Sequence, residues 1–540
     1  MMPETDLRTD LPPGYYLDNF EKLRAFVHQQ YDDLLSPAEH AFFQSWEKLS
    51  EDARKLYVRL ISRKSPVFRS DKFNYEEIQS IPAAADELDR NGFLTINPEL
   101  SLADLCQLVT KPELTGLFSE HLSSSKATRK ADLVAILESL DLPIPGLPFT
   151  TYKPLCSDTI QRLLFLFFGN TRQDLTEFVL QDLGLTVFEN YSLSSTDRLF
   201  KSRQELEQGL SVSRLYYQAL DAESTELLQL AQQIPAAPEH PVLYRRYCKL
   251  INLVAREAER TGQLEKALPL FTLSSLPPAR ERCARILEKL GRKDQSLVVC
   301  EQIIQEPAGD LELAFAERFR NRLTRQKRVK AQSIPENRIS LPLSEERVEV
   351  AVQHYFLQQG QECHYVENTL IPGLTGLAFW DVIFAPITGA FFHPFQNKPA
   401  DLLTPDFYQK RSGMISQRLT ELGETSMLPG LKKTFREKQG IANSLVNWSL
   451  LSKELVEQAV RHIPKEHLLL MIKKLMQDIT HNRNGFPDLI LFDPSGGAYR
   501  WVEVKGPSDR LQENQKRWFQ FFLTHGMPCE VVHVEWLIRK

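Results

Sequence analysis

Two short apolar runs near the C-terminus constrain this chain more than any other feature. The first, Asn484-Gly485-Phe486-Pro487-Asp488-Leu489-Ile490-Leu491-Phe492, leaves a Gly/Pro turn as a strand. The second, Trp501-Val502-Glu503-Val504-Lys505-Gly506, follows the turn formers Asp493-Pro494-Ser495-Gly496-Gly497. Apolar runs punctuated in this way predict a β-hairpin. Side chains alternate along a strand, so Trp501, Glu503 and Lys505 share one face and Val502 and Val504 the other. A carboxylate then sits beside an ammonium, with Asp488 one strand away. Two acids this close repel unless a cation lies between them, and an all-oxygen ligand set suits Mg²⁺ or Mn²⁺. Taken alone, an Asp, a spacer and Glu-x-Lys also describe a solvated, salt-bridged hairpin.

The surrounding residues are more particular. Gly485 precedes the acid, and VEVKGPSDRLQENQ follows it. With Pro487-Asp488 and Glu503-Val504-Lys505 as its motif, this stretch resembles the VRR-NUC branch of the PD-(D/E)XK nucleases. A helix is predicted behind Lys505, with Asp509 as its N-cap and Gln515 facing back towards the site. The resemblance implies that Asp488 and Glu503 hold a divalent metal, with the Val504 carbonyl as a further hard ligand. Lys505 would position or deprotonate the attacking water, and Gln515 would orient Lys505 or the scissile phosphate. Nucleases of this kind add another Glu from the first helix or just after it. Glu349 and Glu367 both qualify, and the similarity to VRR-NUC proteins favours Glu367.

At 540 residues the chain is too long for one core and calls for three or four domains. Its net charge of −5 makes any surface for a polyanion a local patch. Seven cysteines without paired spacing argue for reduced thiols in a cytoplasmic protein and against a zinc finger. The N-terminus carries no basic-then-apolar signal, and no apolar run approaches a membrane span.

Helical periodicity runs from Tyr15 to about Leu94, with Arg59, Arg63 and Lys64 along one helix side and GFLTI as a short strand closing a winged-helix-like unit. KPELTGLFSEHLSSSKATRKADLVAIL resembles a SAP module, with Leu114 and Leu117 in its first helix. Lys126, Arg129 and Lys130 stand at the start of its second helix, where backbone N–H groups also attract phosphate. Ser123-Ser124-Ser125 replace the usual turn glycine. LPIPGLPFTTYKPL reads as a Pro-rich linker. Farther on, helix-turn-helix units with Gly262 and Gly291 at their turns have the spacing of TPR-like arrays, which stack as a solenoid. A basic run with Arg320, Arg322, Arg325, Lys327, Arg328 and Lys330 leads into the catalytic part. It is a solvated linker helix or a phosphate-tracking surface. VEVAVQHYFLQQG is an amphipathic helix, and GLAFWDVIFAP reads as a strand. The mainly helical stretch before Asp488 is longer than such a core needs and implies an insertion, which would wall the site or prevent dimerisation.

The whole order is similar to the Fanconi-associated nuclease family. The expected fold class is multidomain, mainly α with a C-terminal α/β nuclease core. The expected parts are an N-terminal helical, winged-helix-like domain at 1–100 and a SAP-like module at 101–145. A helical connector at 146–205 and TPR-like repeats at 206–335 follow. Last comes a nuclease domain at 340–540 with a helical insertion at about 395–480. The resemblance implies a structure-specific 5′-flap endonuclease with 5′-to-3′ exonuclease (phosphodiesterase I-type) activity in interstrand-crosslink repair. It also implies Mg²⁺ or Mn²⁺ as cofactor and branched DNA as partner, and the TPR-like repeats would either bind protein partners or serve as a rigid spacer between the DNA-binding and catalytic parts. The free protein would be a monomer, acting near the nucleoid if bacterial and in the nucleus if eukaryotic. Eukaryotic members carry a ubiquitin-binding zinc finger that this sequence lacks, which points to the bacterial type. The rival readings are a junction or restriction nuclease of the same superfamily and a catalytically idle DNA-binding scaffold.

Overall fold

The computed structural model describes residues 11–63, 65–122, 129–140, 142–193, 198–325, 332–494 and 498–537. The chain forms two compact units, Met1–Leu185 with Leu199–Leu210, and Thr186–Arg198 with Ser211–Lys540.

In the first unit, helices Tyr15–Tyr31, Pro37–Glu47, Glu51–Ile61 and Ile81–Arg90 enclose an aromatic core of Phe20, Phe42, Trp46, Tyr57 and Phe93. Serines start three of these helices: Ser36, Ser50 and Ser80 each accept a backbone N–H three residues on. Beside them lies a three-stranded antiparallel sheet in the order β1 (Phe68–Arg69), β3 (Thr151–Pro154), β2 (Leu94–Ile96). The expected linker LPIPGLPFTTYKPL therefore ends in the central strand of a sheet. Its prolines fall outside the ladder or at its last residue, leaving Thr151 and Tyr152 free to pair and to be buried. The SAP-like helices Lys111–Leu117 and Lys130–Leu140 share a core of Leu114, Phe118, Leu122, Leu133 and Leu137. Ser123-Ser124-Ser125 lie outside the described residues.

The second unit contains the helical hairpins Pro241–Arg260 with Leu264–Thr272 and Ala279–Lys289 with Lys293–Gln305. Gly262 and Gly291 turn them at φ +79° and +75°, left-handed values that favour glycine. The small residues Ala255, Ala258, Ala267 and Ala279 let neighbouring helices approach closely.

A five-stranded mixed sheet follows, in the order β4 (Glu336–Pro342), β8 (Cys529–Leu537), β7 (Tyr499–Lys505), β6 (Leu489–Phe492), β5 (Glu362–Tyr365). β8 runs parallel to both β4 and β7, whereas β6 is antiparallel to β7 and β5. Val502, Val504, Leu489 and Leu491 pack under helix Val348–Gln358. Trp501, Tyr499, Ile490 and Phe492 face the opposite side, where helix Glu513–Thr524 brings Trp518, Phe519 and Phe522. GLAFWDVIFAP is not a strand but falls in helices Leu370–Ala378 and Trp380–Ile383. Every residue of the former is buried, so the polar face that marks a helix in sequence is missing. Helices Asp406–Glu424, Met427–Lys438, Lys453–His462 and Lys465–Gln477 make up the inserted part. There the fully buried Arg411 is paired with Asp401 at 2.8 Å.

The insertion also receives a distant piece of chain. The carbonyl of Val187 accepts the Ala442 N–H at 2.7 Å. Glu189 accepts hydrogen bonds from Trp380 Nε1 at 2.5 Å and Lys438 Nζ at 2.6 Å. Tyr191 Oη donates to the His393 carbonyl at 2.7 Å and accepts from the Gln396 N–H at 2.8 Å, and its ring stacks on Phe391 with centroids 3.9 Å apart. Residues 186–193 thus form a strap over the insertion. Tyr191→Phe is expected to cost about 1–3 kcal/mol by leaving the Gln396 amide short of a partner. Tyr191→Ala should cost about 3–5 kcal/mol by also removing the stacked ring. Denaturant titration measures both, and unchanged stability in the alanine variant would show that Tyr191 does not hold the strap.

Candidate active site

The site begins with a backbone constraint. Gly485 has φ +94°, and a Cβ there would lie 2.8 Å from the Asn514 carbonyl carbon. Asn368 Oδ1 accepts the N–H groups of Gly485 and Phe486 at 2.7 and 3.1 Å. The loop so fixed delivers Asp488 to the start of β6. The Asp488 carbonyl accepts the Val366 N–H at 2.8 Å, which brings Glu367 alongside.

Asp488 Oδ2 accepts the Val504 N–H at 2.8 Å. Lys505 Nζ lies 2.7 Å from Glu503 Oε1 and 3.3 Å from Gln515 Oε1. Gln515 Nε2 donates to Glu503 Oε1 at 2.5 Å, and Gln515 Oε1 also accepts the Gln512 N–H at 2.9 Å. Gln515 is thus the third residue of helix Glu513–Thr524 in a capping box with Gln512. One amide caps the helix and grips both Glu503 and Lys505. Asp509, expected as the N-cap, instead accepts the Gly506 N–H at 3.0 Å and closes the turn after β7. Its acceptor is consumed before the helix starts.

Asp488, Glu503 and Lys505 are 7%, 1% and 8% exposed. Burial pushes the Asp488 carboxyl above its ordinary range, with Glu367 and Glu349 adding repulsion and the Val504 N–H opposing. Burial likewise raises Glu503, with Asp488 adding repulsion and Lys505 opposing. Glu503 Oε2 is buried and has no hydrogen-bond partner. A hard cation would satisfy that oxygen and relieve both carboxylates, so the residues fit a divalent ion. Among the described residues no three His, Cys, Asp or Glu side chains surround a metal position unaided. An ion here therefore needs backbone oxygens, water or a bound ligand to complete its shell. Mg²⁺ accepts that readily.

A second cluster escaped the sequence reading. Arg245 and Lys249 on helix Pro241–Arg260 line a cavity of about 820 Å³ together with Asn252, Asp478 and His481. Burial lowers the Lys249 and Lys398 ammonium pKa values, and the neighbouring cations, Arg483 among them, lower both further. Arg483 Nε and two guanidinium nitrogens of Arg517 are buried without hydrogen-bond partners. Cations crowded this way make a candidate anion site, with the Asp310 and Asp478 carboxylates facing Arg517. The available signal was Arg245 and Lys249 one helical turn apart on a face otherwise assigned to repeat packing.

Family models match three parts of the chain: "FAN1, HTH domain" at residues 14–95, "Fanconi anemia-associated nuclease SAP domain" at 99–144, and "VRR-NUC domain" at 423–536. The chain is 36% identical to a Fanconi-associated nuclease 1 homolog of Pseudomonas aeruginosa, over 97% of this chain and 96% of that one. The chain belongs to the Fanconi-associated nuclease family. Human Fanconi-associated nuclease 1 is 23% identical over 96% of this chain, which spans 62% of the human protein. The crystal structure of paFAN1 bound to a 2-nt 5′-flap DNA with a gap superposes with a TM-score of 0.92 at 36% identity, covering 98% of this chain and 100% of that one. This Fanconi-associated nuclease is a structure-specific DNA nuclease of repair whose chemistry depends on a divalent metal. Among its described residues no helix is long and apolar enough to cross a membrane.

The structure brings Asp488, Glu503, Lys505, Val504, Glu367 and Gln515 together. Several cations expected to meet DNA are engaged internally. Arg59 is paired with Glu77 at 2.7 Å and stacked over Tyr16. The Arg63 guanidinium lies over Tyr75. Lys130 Nζ donates to the carbonyls of Cys106 and Val109, ends of a neighbouring helix, while Arg129 is exposed. Arg320 is 3.5 Å from Glu301, and Arg322 2.7 Å from Glu288. Arg325 is exposed just beyond helix Asp310–Leu323. Lys64, Lys126, Lys327, Arg328 and Lys330 lie outside the described residues.

Because burial raises the folded-state pKa of Asp488, ionisation is penalised only in the fold. The penalty is absent below the unfolded carboxylate pKa, grows as pH rises through it and is complete above the folded value. Asp488→Asn should therefore stabilise the metal-free protein by on the order of 1–3 kcal/mol at pH 8 and by far less at pH 4. Denaturation at both pH values measures this, and an equal gain at each would refute a buried, raised carboxylate.

Proposed function

We propose that this protein cuts a phosphodiester bond close to the junction of a 5′-flap DNA, using Mg²⁺ or Mn²⁺. The observation that carries the reading is the buried Asp488–Glu503 pair, in which Lys505 holds Glu503 Oε1 and Oε2 is orphaned. The 5′-flap DNA named for the similar paFAN1 crystal structures supports the substrate class.

Asp488, Glu503 and the Val504 carbonyl would hold the ion, and Glu367 would reach it directly or through a water. Such an ion would supply charge to offset that developing on the phosphoryl oxygens and would lower the pKa of a bound water. Lys505 provides protons on a fixed ammonium, held by Glu503 and Gln515. It orients the water for in-line attack and stabilises the developing oxyanion. Gln515 fixes the direction of that ammonium, and the buried floor of Trp501 and Phe522 behind it keeps the sheet face dry. Arg245, Lys249, Lys398 and Arg483 hold a DNA phosphate away from the bond that breaks, which orients the flap. The five-part division of the chain given by its sequence remains our assignment. So do a monomeric free state, a cytoplasmic location at the nucleoid and protein contacts through the helical repeats.

Lys505→Ala should lower cleavage of a 5′-flap duplex by about 10²–10³-fold while leaving DNA affinity intact. A gel assay with Mn²⁺, alongside Asp488→Ala and a chelator control, reads this. Wild-type cutting by the lysine variant would remove Lys505 from the mechanism. Lys249→Ala should weaken flap binding and reduce the slope of log affinity against log salt by about one. Cleavage at saturating DNA should persist. An unchanged slope would mean that no phosphate sits among these cations.

A further inference from the structure

Glu367 is gripped from two sides. Tyr365, the last residue of β5 and the partner of Leu489 in register, donates its hydroxyl to Glu367 Oε2 at 2.5 Å. Asn368 Nδ2 reaches Glu367 Oε1 at 3.3 Å, while its Oδ1 holds the Gly485 and Phe486 amides of the loop that delivers Asp488. Behind the phenol stands Arg347, whose Nη2 donates to Tyr365 Oη at 3.4 Å and whose guanidinium carbon lies 5.4 Å from the ring centroid. Glu349, the rival acid, lies 3.4 Å from that same exposed arginine.

We infer that Tyr365, backed by Arg347, is a positioning residue that aims the Glu367 carboxylate at the metal site. The inference rests on the metal-site reading above. Each carboxylate oxygen has two lone pairs. The phenol and the Asn368 amide take one on each, leaving one on each for a cation. Groups that orient a metal ligand in this way change metal affinity by about 10–100-fold when removed.

The test titrates Mn²⁺ into the full-length protein and counts free Mn²⁺ by electron paramagnetic resonance. Tyr365→Phe should weaken Mn²⁺ binding by about tenfold. The metal-free unfolding midpoint should stay unchanged, and kcat on a 5′-flap duplex should recover at saturating Mn²⁺. In a Glu367→Gln background the same change should cause no further loss, since the carboxylate it aims is gone. Asp488→Asn separates the two readings. If Asp488→Asn loses Mn²⁺ and Tyr365→Phe binds it as the wild type does, the positioning role is overturned and the metal site stands. If Asp488→Asn also binds normally, the metal-site reading falls and this inference falls with it. An equal further loss in the Glu367→Gln background would show that Tyr365 acts through something other than Glu367.

Discussion

The structure depends on a repulsion. Asp488 and Glu503 are driven into the protein on adjacent strands of one sheet, where burial disfavours both charges and Asp488 adds repulsion at Glu503. A fold selected only for stability would replace such a pair with apolar side chains. Here a compact set of neighbours keeps it in place: Lys505 on Glu503, the Val504 amide on Asp488, and the Gln515 amide across Glu503 and Lys505. Glu503 Oε2 is left without a partner, the unsatisfied valence that gives the site its appetite for a cation.

Holding these groups requires backbone that cannot drift. The left-handed Gly485 lies against Asn514, so the loop before Asp488 and the helix carrying Gln515 share a contact with no room for a side chain. Asn368 ties that loop to the Glu367 segment. The two strands, the helix and the Glu367 turn are therefore located by mutual contact rather than by any one element. Sites supported this way retain their geometry when a charged substrate arrives.

The helical insertion extends this support. It packs on the fully buried helix Leu370–Ala378 and receives the strap at 186–193, so residues far apart in the chain share one framework with the sheet. Holding the strap is a role that neither expected function of the insertion included. The cation cluster belongs to the same unit, drawing Arg245 and Lys249 from the repeat helices and Arg483 from the segment that leads to Asp488. The proposed phosphate site and the catalytic groups therefore lie in one unit, with Arg483 five residues before Asp488.

The local rules were enough for the hairpin, for the face shared by Trp501, Glu503 and Lys505, for the turn glycines Gly262 and Gly291, and for Gln515 looking back at the lysine. Each follows from a period or a spacing of a few residues, which sequence states directly. GLAFWDVIFAP could not be read the same way, because it straddles two short helices, the first buried on all sides and so without a polar face to betray its period. The closing strand Thr151–Pro154 hid inside a proline-rich run, since only its partners on both sides make it a strand. Arg59 and Lys130 looked free to meet phosphate until the fold supplied Glu77 and two backbone carbonyls. The four-cation cluster, the grip of Tyr365 on Glu367 and the orphaned oxygen of Glu503 likewise exist only where distant segments converge. The sequence by itself determined which groups could do chemistry. The tertiary structure decided which of them are buried, paired or left wanting a partner, because those properties belong to contacts across the chain and not along it.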